Sequence, residues 1–496
     1  MGDCREELPK SLSEQGLAIS FTQEKGRCLI ADRDFSPGEV VISQEPYASV
    51  VDTSCHGKTC DSCFSSSNSL KKCSMCKMAW YCGSSCQKAE WNLHQLECQA
   101  LVSLSKEKRK MLTPSIRLMV RILIRRKKQI EKVIVTTARD NYNLVEELVM
   151  HMSGVDEKQL LTFAQMANLV NVILPLEEIS IKEIAQNFSR LACNAHTICD
   201  SELRPLGTGL YPVISIINHS CLPNSVLLFE GKLAVVRAVE PIIRGSEVVI
   251  SYIETAASTT TRRKALKEQY LFNCMCIRCM KVGQKDDLEE NAILEGYKCR
   301  DENCDGYLLL NPDLKLFICQ SCGFPRYMQE ITRLSSEVEE KLDSASKHLS
   351  SGSSSEAVVK YKEVELLQAK LFHSMSIKLV RTRETLLKMH MELKDWEEAL
   401  EYCRLTIPVY QRAYPPIHPL LGLQYYTCGK LEWFLGATLD ALKSLTKAMD
   451  ILRITHGANT SFMKELFHLV DEARAEANWF ATSSNDTSSA GLSVLK

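Results

Sequence analysis

The chain has 496 residues, of which 60 are basic and 61 acidic, and 45% of its residues are hydrophobic. This length predicts two to four domains and excludes a peptide hormone or a small disulfide scaffold. The near-neutral charge excludes a globally basic nucleic-acid binder and a mostly disordered chain.

The unusual feature of the composition is the presence of 22 cysteines. Residues 1–10 lack the pattern of a secretory signal, and no apolar run approaches the ~20 residues that a membrane helix needs. We therefore expect a protein of the nucleus and cytoplasm that does not enter membranes. In these reducing compartments, clustered cysteines more often bind metal or act in redox chemistry than form disulfides.

A β-branched run at residues 40–42, which predicts a strand, precedes a dense cluster of metal-ligating side chains. The cluster contains eight such residues: Cys60, Cys63, Cys73, Cys76, Cys82, Cys86, His94 and Cys98. Zinc takes four thiolate or imidazole ligands, so eight ligands predict two ions, whereas free buried cysteines would not need this spacing. The last two ligands are four residues apart and lie on one face of a predicted helix.

Farther along the chain the hydrophobic pattern changes from helical to extended. Residues 116–134 and 159–172 carry apolar side chains at intervals of three and four, which predicts helices. Residues 248–252 are a β-branched run that predicts a strand, and residues 232–237 predict a further strand. The predicted fold class is therefore α+β, with a β-rich core interrupted by helical insertions and with several domains.

Two further cysteine groups predict zinc sites. The first comprises Cys274, Cys276 and Cys279, and we expect Cys221, which lies in a polar turn, to supply its fourth ligand. The second comprises Cys299, Cys304, Cys319 and Cys322, and it flanks a hairpin predicted at residues 307–317. This second group is typical of a zinc ribbon, with reduced free thiols as the alternative. We expect three zinc ions, and a fourth if the ribbon binds metal.

The C-terminal third is predicted to be helical and weakly repetitive. A serine-rich segment at residues 350–355 predicts a flexible turn between helices. Similar pentapeptides begin at Trp396 and Thr438, which resembles long tetratricopeptide repeats and predicts stacked helix pairs in a solenoid. Plain helical scaffolding explains the pattern equally well. Residues from Thr482 onward are expected to form an untethered tail.

Three motifs resemble those of SET-domain lysine methyltransferases: Asn218-His219-Ser220-Cys221, Ile250-Ser251-Tyr252 and Cys274-x-Cys276-x2-Cys279. The eight-ligand cluster upstream resembles the MYND zinc module. The whole order resembles the SMYD family, in which a MYND module interrupts the SET domain. This resemblance implies interleaved zinc ions, one bound by Cys60, Cys63, Cys82 and Cys86 and the other by Cys73, Cys76, His94 and Cys98.

The resemblance, together with the ribbon cysteines and the C-terminal repeat pattern, implies a domain order. It comprises residues 16–52, the N-terminal part of the SET domain; 55–99, the MYND zinc finger; 100–200, the helical insertion; 201–257, the C-terminal part of the SET core; 258–283, the post-SET zinc site; 295–326, the zinc ribbon; 330–480, the tetratricopeptide-like all-α solenoid; and 481–496, the flexible tail.

The activity implied by the resemblance is transfer of a methyl group from S-adenosylmethionine to a lysine of a histone or non-histone protein. A lysine with its usual pKa of ~10.4 is protonated, so such a site must favour the neutral amine by desolvation. The implied catalytic residue is Tyr252, whose hydroxyl would orient the amine. The residues implied to bind S-adenosylmethionine are Lys25, Arg27, Asn194, Asn218, His219 and Phe272, and those implied to line the lysine channel are His196 and Tyr270.

Packing roles are the alternative for Tyr252, Phe272, Tyr270 and His196. The chain also departs from the family pattern. Cys28 replaces a usual glycine, and His196 stands where animal members carry phenylalanine. An acidic cofactor contact expected in the helical insertion has no clear counterpart near Glu146, Glu147 and His151.

The resemblance implies protein substrates and proline-rich peptides as partners, the latter at the MYND module, where Trp80 and Tyr81 could offer an aromatic surface or pack internally. DNA binding through Lys71, Lys72 and Lys77 is a weaker alternative to a solvated surface. A monomer is expected. The rival function is a scaffold or transcriptional cofactor with an inactive SET domain.

Overall fold

The computed structural model describes residues 4–175 and 178–489. The chain divides into two compact units, the first formed by Met1–Tyr252 and Ala265–Asn273 and the second by Ile253–Lys264 and Cys274–Lys496. The division falls within helix α8 (Thr259–Tyr270). Within the described ranges, no helix is long and apolar enough to cross a membrane.

The first unit contains the predicted β-rich core as several short sheets. Its strands are β1 (Leu17–Thr22), β2 (Gly26–Ala31), β3 (Val40–Gln44), β4 (Ala48–Val51), β5 (Lys71–Lys72), β6 (Trp80–Tyr81), β7 (Ala195–Cys199), β8 (Pro205–Leu210), β9 (Asn218–His219), β10 (Ser225–Glu230), β11 (Leu233–Ala238) and β12 (Val249–Ile250). Strands β3, β11 and β12 confirm the predicted β-branched strands. β12 is shorter than predicted, because its parallel pairing with β9 ends at Ile250.

The strands of the first unit combine locally. β1 pairs with β2, β3 and β10 flank β11, and β4 and β7 flank β8, all of them antiparallel. In the last of these sheets Ser49 lies opposite Gly209, and Gly209 lies opposite His196. A Cβ atom on Gly209 would lie 2.7 Å from the Tyr211 ring, so this central position has no room for a side chain.

The helices of the first unit surround these sheets. They are α1 (Cys4–Ser13), α2 (Ser84–Ser103), α3 (Lys106–Lys110), α4 (Pro114–Ile130), α5 (Tyr142–Glu146), α6 (Glu157–Ile173) and α7 (Ile181–Asn194). Helices α4 and α6 confirm the two helices predicted from periodicity. The Thr113 hydroxyl caps α4 by accepting from the Ile116 amide. The helix ends earlier than predicted, since Lys132 adopts a left-handed conformation with φ of 59°.

The zinc module shares its hydrophobic core with the rest of the first unit. Ligand cysteines such as Cys73 and Cys98 belong to one buried cluster with Val50 of β4 and Leu123 of α4. Phe64, from the loop between two zinc ligands, is instead buried in the core formed by the β-strands. The zinc module therefore contributes to the hydrophobic core of the first unit.

The second unit begins with short helices and a small sheet and continues as a helical array. Its elements are α9 (Ile277–Met280), α10 (Lys285–Glu295), β13 (Leu308–Asn311), β14 (Leu316–Cys319), β15 (Pro325–Tyr327), α11 (Met328–Ser350), α12 (Ser354–Leu371), α13 (Ile377–Glu392), α14 (Trp396–Ala413), α15 (Pro419–Phe434), α16 (Thr438–Leu452) and α17 (Ser461–Ser489). Strands β13 and β14 confirm the predicted hairpin, and β15 adds a third strand.

From α11 onward, consecutive helices pack against one another. The two similar pentapeptides form the first turns of α14 and α16, as expected for helix pairs that repeat. The predicted turn at residues 350–355 lies between α11 and α12. Helix α17 continues to Ser489, whereas the sequence predicts an untethered tail from Thr482, and residues 490–496 of that tail lie outside the described residues. These features confirm the α+β multidomain fold class with a helical C-terminal region.

Candidate active site and zinc sites

Four aromatic side chains from the predicted site lie next to one another in the first unit. The Tyr252 ring centroid is 4.9 Å from that of Tyr270 and 5.4 Å from that of His219. The His219 ring is in turn 6.1 Å from Phe272. The Tyr270 hydroxyl donates to the Tyr252 carbonyl at 3.3 Å. The fold thus brings together side chains that the sequence analysis assigns to catalysis, cofactor binding and the lysine channel.

The parallel pairing of β9 and β12 explains this proximity. It places His219 opposite Ile250, two residues before Tyr252. The Tyr252 amide donates to Nδ1 of His219 at 3.0 Å, so Nδ1 acts as an acceptor and the proton of the neutral ring is on Nε2. Nε2 lies 3.3 Å from the Cys221 sulfur. His219 therefore connects the Tyr252 backbone with a predicted zinc ligand.

The Tyr252 hydroxyl is fixed by the backbone. It donates to the Ile217 carbonyl at 2.5 Å. Burial raises the pKa of Tyr252, with smaller contributions from nearby Tyr270 and Glu247, so the phenol remains protonated near neutral pH. The group is suited to accepting a hydrogen bond through its oxygen, and it is unsuited to acting as a strong base.

Lys25, Arg27 and Asn218 meet two carboxylates that the sequence analysis did not assign. Lys25 Nζ lies 2.6 Å from Glu247 Oε2, and Asn218 Nδ2 donates to Glu247 Oε1 at 2.9 Å. Arg27 lies 3.0 Å from Glu147 Oε2 and also donates to the Glu147 carbonyl. Glu147 lies in the segment where the family carries an acidic cofactor contact, and Glu247 lies two residues before β12.

The side-chain amides of Asn218 and Asn194 are both fixed by the hydrogen bonds that they donate. Besides its bond to Glu247, Asn218 Nδ2 donates to the Arg27 carbonyl at 3.1 Å. Asn194 Nδ2 donates to the carbonyls of Val149 at 2.9 Å and Arg190 at 2.8 Å. Since both hydrogens of each amide are engaged, the side-chain oxygen or the backbone remains to meet a ligand.

His196 lies on β7, two residues after Asn194. Its Nε2 is 3.5 Å from the Ser215 hydroxyl, and its ring centroid is 5.9 Å from that of Tyr211. Desolvation lowers the pKa of His196 to about 4, so the ring is neutral near pH 7. Burial raises the pKa of Tyr270 to about 12. The two predicted channel residues are thus uncharged polar groups. Cys28, the other departure from the family pattern, is buried on β2.

The eight ligands of the zinc module form two groups of four in the interleaved arrangement that the resemblance implies. One group is Cys60, Cys63, Cys82 and Cys86, and the other is Cys73, Cys76, His94 and Cys98, with ligand atoms within 4.8 Å of one another. The Cys63–Cys82 and Cys73–Cys98 sulfur separations are 3.6 and 3.8 Å. Zn–S bonds of about 2.3 Å give tetrahedral edges of about 3.8 Å, so both groups fit zinc.

Two aromatic residues of the zinc module differ in exposure. Tyr81 is buried, so the packing alternative holds for it, while Trp80 is half-buried with Lys72 Nζ 4.9 Å above its ring. Lys71 and Lys72 are exposed on β5. These basic side chains are therefore accessible to solvent, and DNA contact through them stays a prediction.

Cysteines of the second unit form further groups with metal-binding geometry. The ribbon ligands Cys299, Cys304, Cys319 and Cys322 have sulfurs within 4.8 Å of one another. Two of their separations, 3.5 Å for Cys299–Cys322 and 3.7 Å for Cys304–Cys319, match tetrahedral zinc edges. The sulfurs of Cys274, Cys276 and Cys279 also lie within 4.8 Å of one another. Cys221 as their fourth partner stays a prediction.

Comparison with known proteins gives consistent similarities. The MYND finger family matches residues 60–98. The chain is 56% identical over 473 residues to histone-lysine N-methyltransferase ASHR1 of Arabidopsis thaliana, covering 95% of this chain and 98% of that protein. It is 30% identical over 464 residues to N-lysine methyltransferase SMYD2-B of Xenopus laevis, covering 91% and 98%. It is 28% identical over 468 residues to histone-lysine N-methyltransferase SMYD3 of Mus musculus, covering 92% and 96%.

Proposed function

Because the chain belongs to the SMYD family of protein-lysine methyltransferases, we propose that it transfers the methyl group of S-adenosylmethionine to a lysine side chain of a histone or non-histone protein. The observation that carries this proposal is the bond between the Tyr252 amide and His219, which joins the predicted catalytic and cofactor motifs. All three relatives compared are described as lysine methyltransferases, which favours an enzyme over a scaffold with an inactive SET domain.

The residues that would hold S-adenosylmethionine form a suitable set of donors. Lys25 and Arg27 offer cationic groups for its carboxylate. Asn194, Asn218 and His219 offer polar side-chain and backbone groups, and the Phe272 ring offers an apolar surface for the adenine. When bound, the cofactor supplies an electrophilic methyl group. Glu247 and Glu147 hold the two cations in place, and a carboxylate ligand would share or replace those ion pairs.

The neighbouring aromatic side chains would favour the neutral form of the lysine amine and orient it for attack on the methyl group. Tyr252 and Tyr270, with neighbouring His219, provide walls of low polarity, which disfavour the ammonium form and promote loss of its proton to solvent. The Tyr252 hydroxyl donates to the Ile217 carbonyl, so its oxygen can accept an N–H of the neutral amine and fix its direction. Positioning of this kind makes a large contribution to rate without a strong general base.

Incubation with S-adenosylmethionine carrying a radiolabelled methyl group and with candidate proteins tests this proposal. We expect wild-type protein to label lysine and Tyr252→Phe to lose most of that activity. Tyr327→Phe is the matched control, because Tyr327 is an exposed ribbon tyrosine. Equal labelling by wild type and Tyr252→Phe would contradict the role of Tyr252. Absence of both cofactor binding in calorimetry and label transfer would favour the scaffold function.

A further inference from the structure

A group of buried charges surrounds one zinc ligand of the MYND module. Glu97 Oε2 lies 2.9 Å from Nδ1 of His94, whose Nε2 belongs to the group with Cys76. Arg117 Nε donates to Glu97 Oε1 at 2.7 Å, and Arg121 Nε donates to Oε2 at 3.3 Å. Glu97 is fully buried, and both arginines are at most 4% exposed. One carboxylate thus joins a metal ligand to two guanidinium groups.

The two arginines extend this group in different directions. They are four residues apart on α4 and therefore lie on one face of the helix. Arg117 also pairs with Asp61 at 2.8 Å, and Asp61 stands between Cys60 and Cys63 of the other zinc group. The Asp61 carboxylate accepts from the Trp80 amide at 2.8 Å. A single arginine therefore links the surroundings of both zinc groups.

Arg121 reaches the sheet that contains His196. Its Nη1 donates to the Ser49 carbonyl at 2.6 Å, and its Nη2 lies 3.2 Å from Glu90. Ser49 of β4 lies opposite Gly209 of β8, which lies opposite His196 of β7. A continuous series of bonds and strand pairs therefore leads from the zinc ligand His94 to His196.

Other contacts hold the zinc module against the β-rich core. Lys232, in the turn between β10 and β11, lies 2.9 Å from Glu90. At the preceding residue, Gly231, a Cβ atom would lie 2.6 Å from the Cys63 carbonyl. At Gly207 of β8, a Cβ atom would lie 2.7 Å from the Phe64 ring. At these two glycines the zinc module and the β-rich core touch without free space. A shift of the module would therefore displace the strands of the core.

Charges buried this deeply are stable only as a complete set. Removing one partner leaves an uncompensated charge in the interior, which costs much more than the loss of one surface ion pair. His94 can hold Glu97 in position only while it is itself held in the metal site. Glu97 in turn determines where both arginines lie, including the one that bonds to β4.

We propose that the MYND zinc module positions the methyltransferase site, and that Glu97, Arg117 and Arg121 are the positioning residues through which metal occupancy reaches the β4–β8–β7 sheet. In this arrangement the module does more than bind partners, because His196 and Asn194 depend on it for their placement. The inference rests on the proposed function for its kinetic test, and amide hydrogen exchange provides a test that is independent of activity.

The decisive variants are Glu97→Gln, which retains size and removes the charge, and Arg121→Lys, which retains the charge and removes the fork of donors. The matched control is Arg125→Lys, one turn farther along α4, because Arg125 pairs with Asp140 and not with the zinc-linked acids. Each protein is prepared with zinc. Zinc content, amide hydrogen exchange, and kcat and KM for a lysine-containing peptide are then measured. Each kcat is calculated from the concentration of protein that binds cofactor.

We expect both variants, but not Arg125→Lys, to show at least tenfold faster exchange in peptides covering β7 and β8, while peptides covering β1 and β2 stay unchanged. We also expect kcat/KM to fall between tenfold and 100-fold, the usual effect of removing a partner of a metal ligand. Exchange and kcat/KM equal to those of the control would overturn the inference, and so would faster exchange throughout the chain, since the network would then only stabilise the fold. Wild type that binds cofactor but never methylates would contradict the proposed function, while the exchange result would still decide this inference.

Discussion

The Tyr252 amide donates to Nδ1 of His219 across a distance of 3.0 Å. The position of Tyr252 therefore depends on the orientation of the His219 ring. The same imidazole has its Nε2 3.3 Å from the Cys221 sulfur. His219, which is expected to contact the cofactor, therefore also holds in position Tyr252, which is expected to orient the substrate.

We predict that His219→Ala weakens both cofactor binding and catalysis, because it leaves the Tyr252 amide without its acceptor. Loss of a buried hydrogen-bond partner costs about 1–3 kcal/mol, which corresponds to roughly a fivefold to 150-fold loss of affinity. Calorimetry with S-adenosylmethionine measures this change. His219→Asn should recover part of it, because the Asn oxygen can accept near the Nδ1 position. Equal affinity for S-adenosylmethionine in wild type and His219→Ala would contradict the role of His219 in holding Tyr252.

We predict losses of different size for two changes at Glu247. Glu247→Ala removes the acceptor of Asn218 Nδ2 and should lower cofactor affinity by about tenfold, the effect of losing one hydrogen bond of about 1.4 kcal/mol. Glu247→Gln keeps an oxygen for Asn218 and releases Lys25 from its ion pair, so affinity should remain within about threefold of wild type. Calorimetry distinguishes the two. Equal losses in both variants would show that the Glu247 charge itself is required.

The protonation of His196 predicts a pH dependence of stability. Its pKa in the folded protein is about 4, below the ~6.5 of an unfolded histidine. Between these values the unfolded chain binds more protons, so His196 lowers the free energy of unfolding as the pH falls from 6.5 towards 4. His196→Phe should reduce this loss, measured by denaturant unfolding at pH 7 and pH 5. His468→Phe, at an exposed site, should leave the dependence unchanged, and a similar change in both variants would argue against burial of His196 as the cause.

The ribbon geometry predicts a fourth zinc ion. Wild-type protein should contain four zinc ions per chain by elemental analysis, and Cys322→Ser should contain three with little change in cofactor affinity. Cys55→Ser is the control, because Cys55 belongs to none of the ligand groups in the described chain. Three ions in wild type would show that the ribbon cysteines are free thiols. Two ions would contradict the zinc assignment as a whole.

The central strand of the β4–β8–β7 sheet predicts a steric effect. Gly209→Ala would place a Cβ atom 2.7 Å from the Tyr211 ring and should lower the free energy of unfolding by about 1–3 kcal/mol. At Gly83, which precedes α2, a Cβ atom would meet nothing within 4 Å. Gly83 is the N-cap residue of α2, where Ala is disfavoured but causes no clash, so Gly83→Ala should cost less than about 1 kcal/mol. Denaturant unfolding of the two variants measures the difference, and equal stabilities would show that β8 can move.

Features encoded by neighbouring residues were predictable from the sequence. Apolar spacing predicted α4 and α6, and paired cysteines predicted the zinc groups, because both patterns depend on residues within a few turns of each other. His94 and Glu97 are also close enough in the chain to suggest a pair on one helix face. The residues that complete the network, Arg117 and Arg121, belong to a different helix, and their burial could not be inferred from an ordinary amphipathic pattern.

Long-range pairings were inaccessible for the same reason. Lys25 and Glu247 are 222 positions apart, so only the folded β-sheets bring them together. The sequence predicts an untethered tail from Thr482, and α17 continues as a helix to Ser489 although its last residues favour helix only weakly. Motif resemblance names the aromatic residues that the fold brings together, whereas the ion pairs of Glu247 with Lys25 and of Glu147 with Arg27 required the structure.

The pairing of Ala48 with Leu210 has a consequence for synthesis of the protein. Strand β4 leaves the ribosome early, but its partner β8 follows only after the zinc module and the inserted helices have been translated. During that interval the edge of β4 is unpaired and Phe64 lacks the strands that cover it. The sheet therefore closes late, through contacts between residues far apart in the sequence, and such contacts form slowly. Since a small zinc module gains folding free energy from its metal, zinc bound during that interval would favour the closure of β8 onto β4.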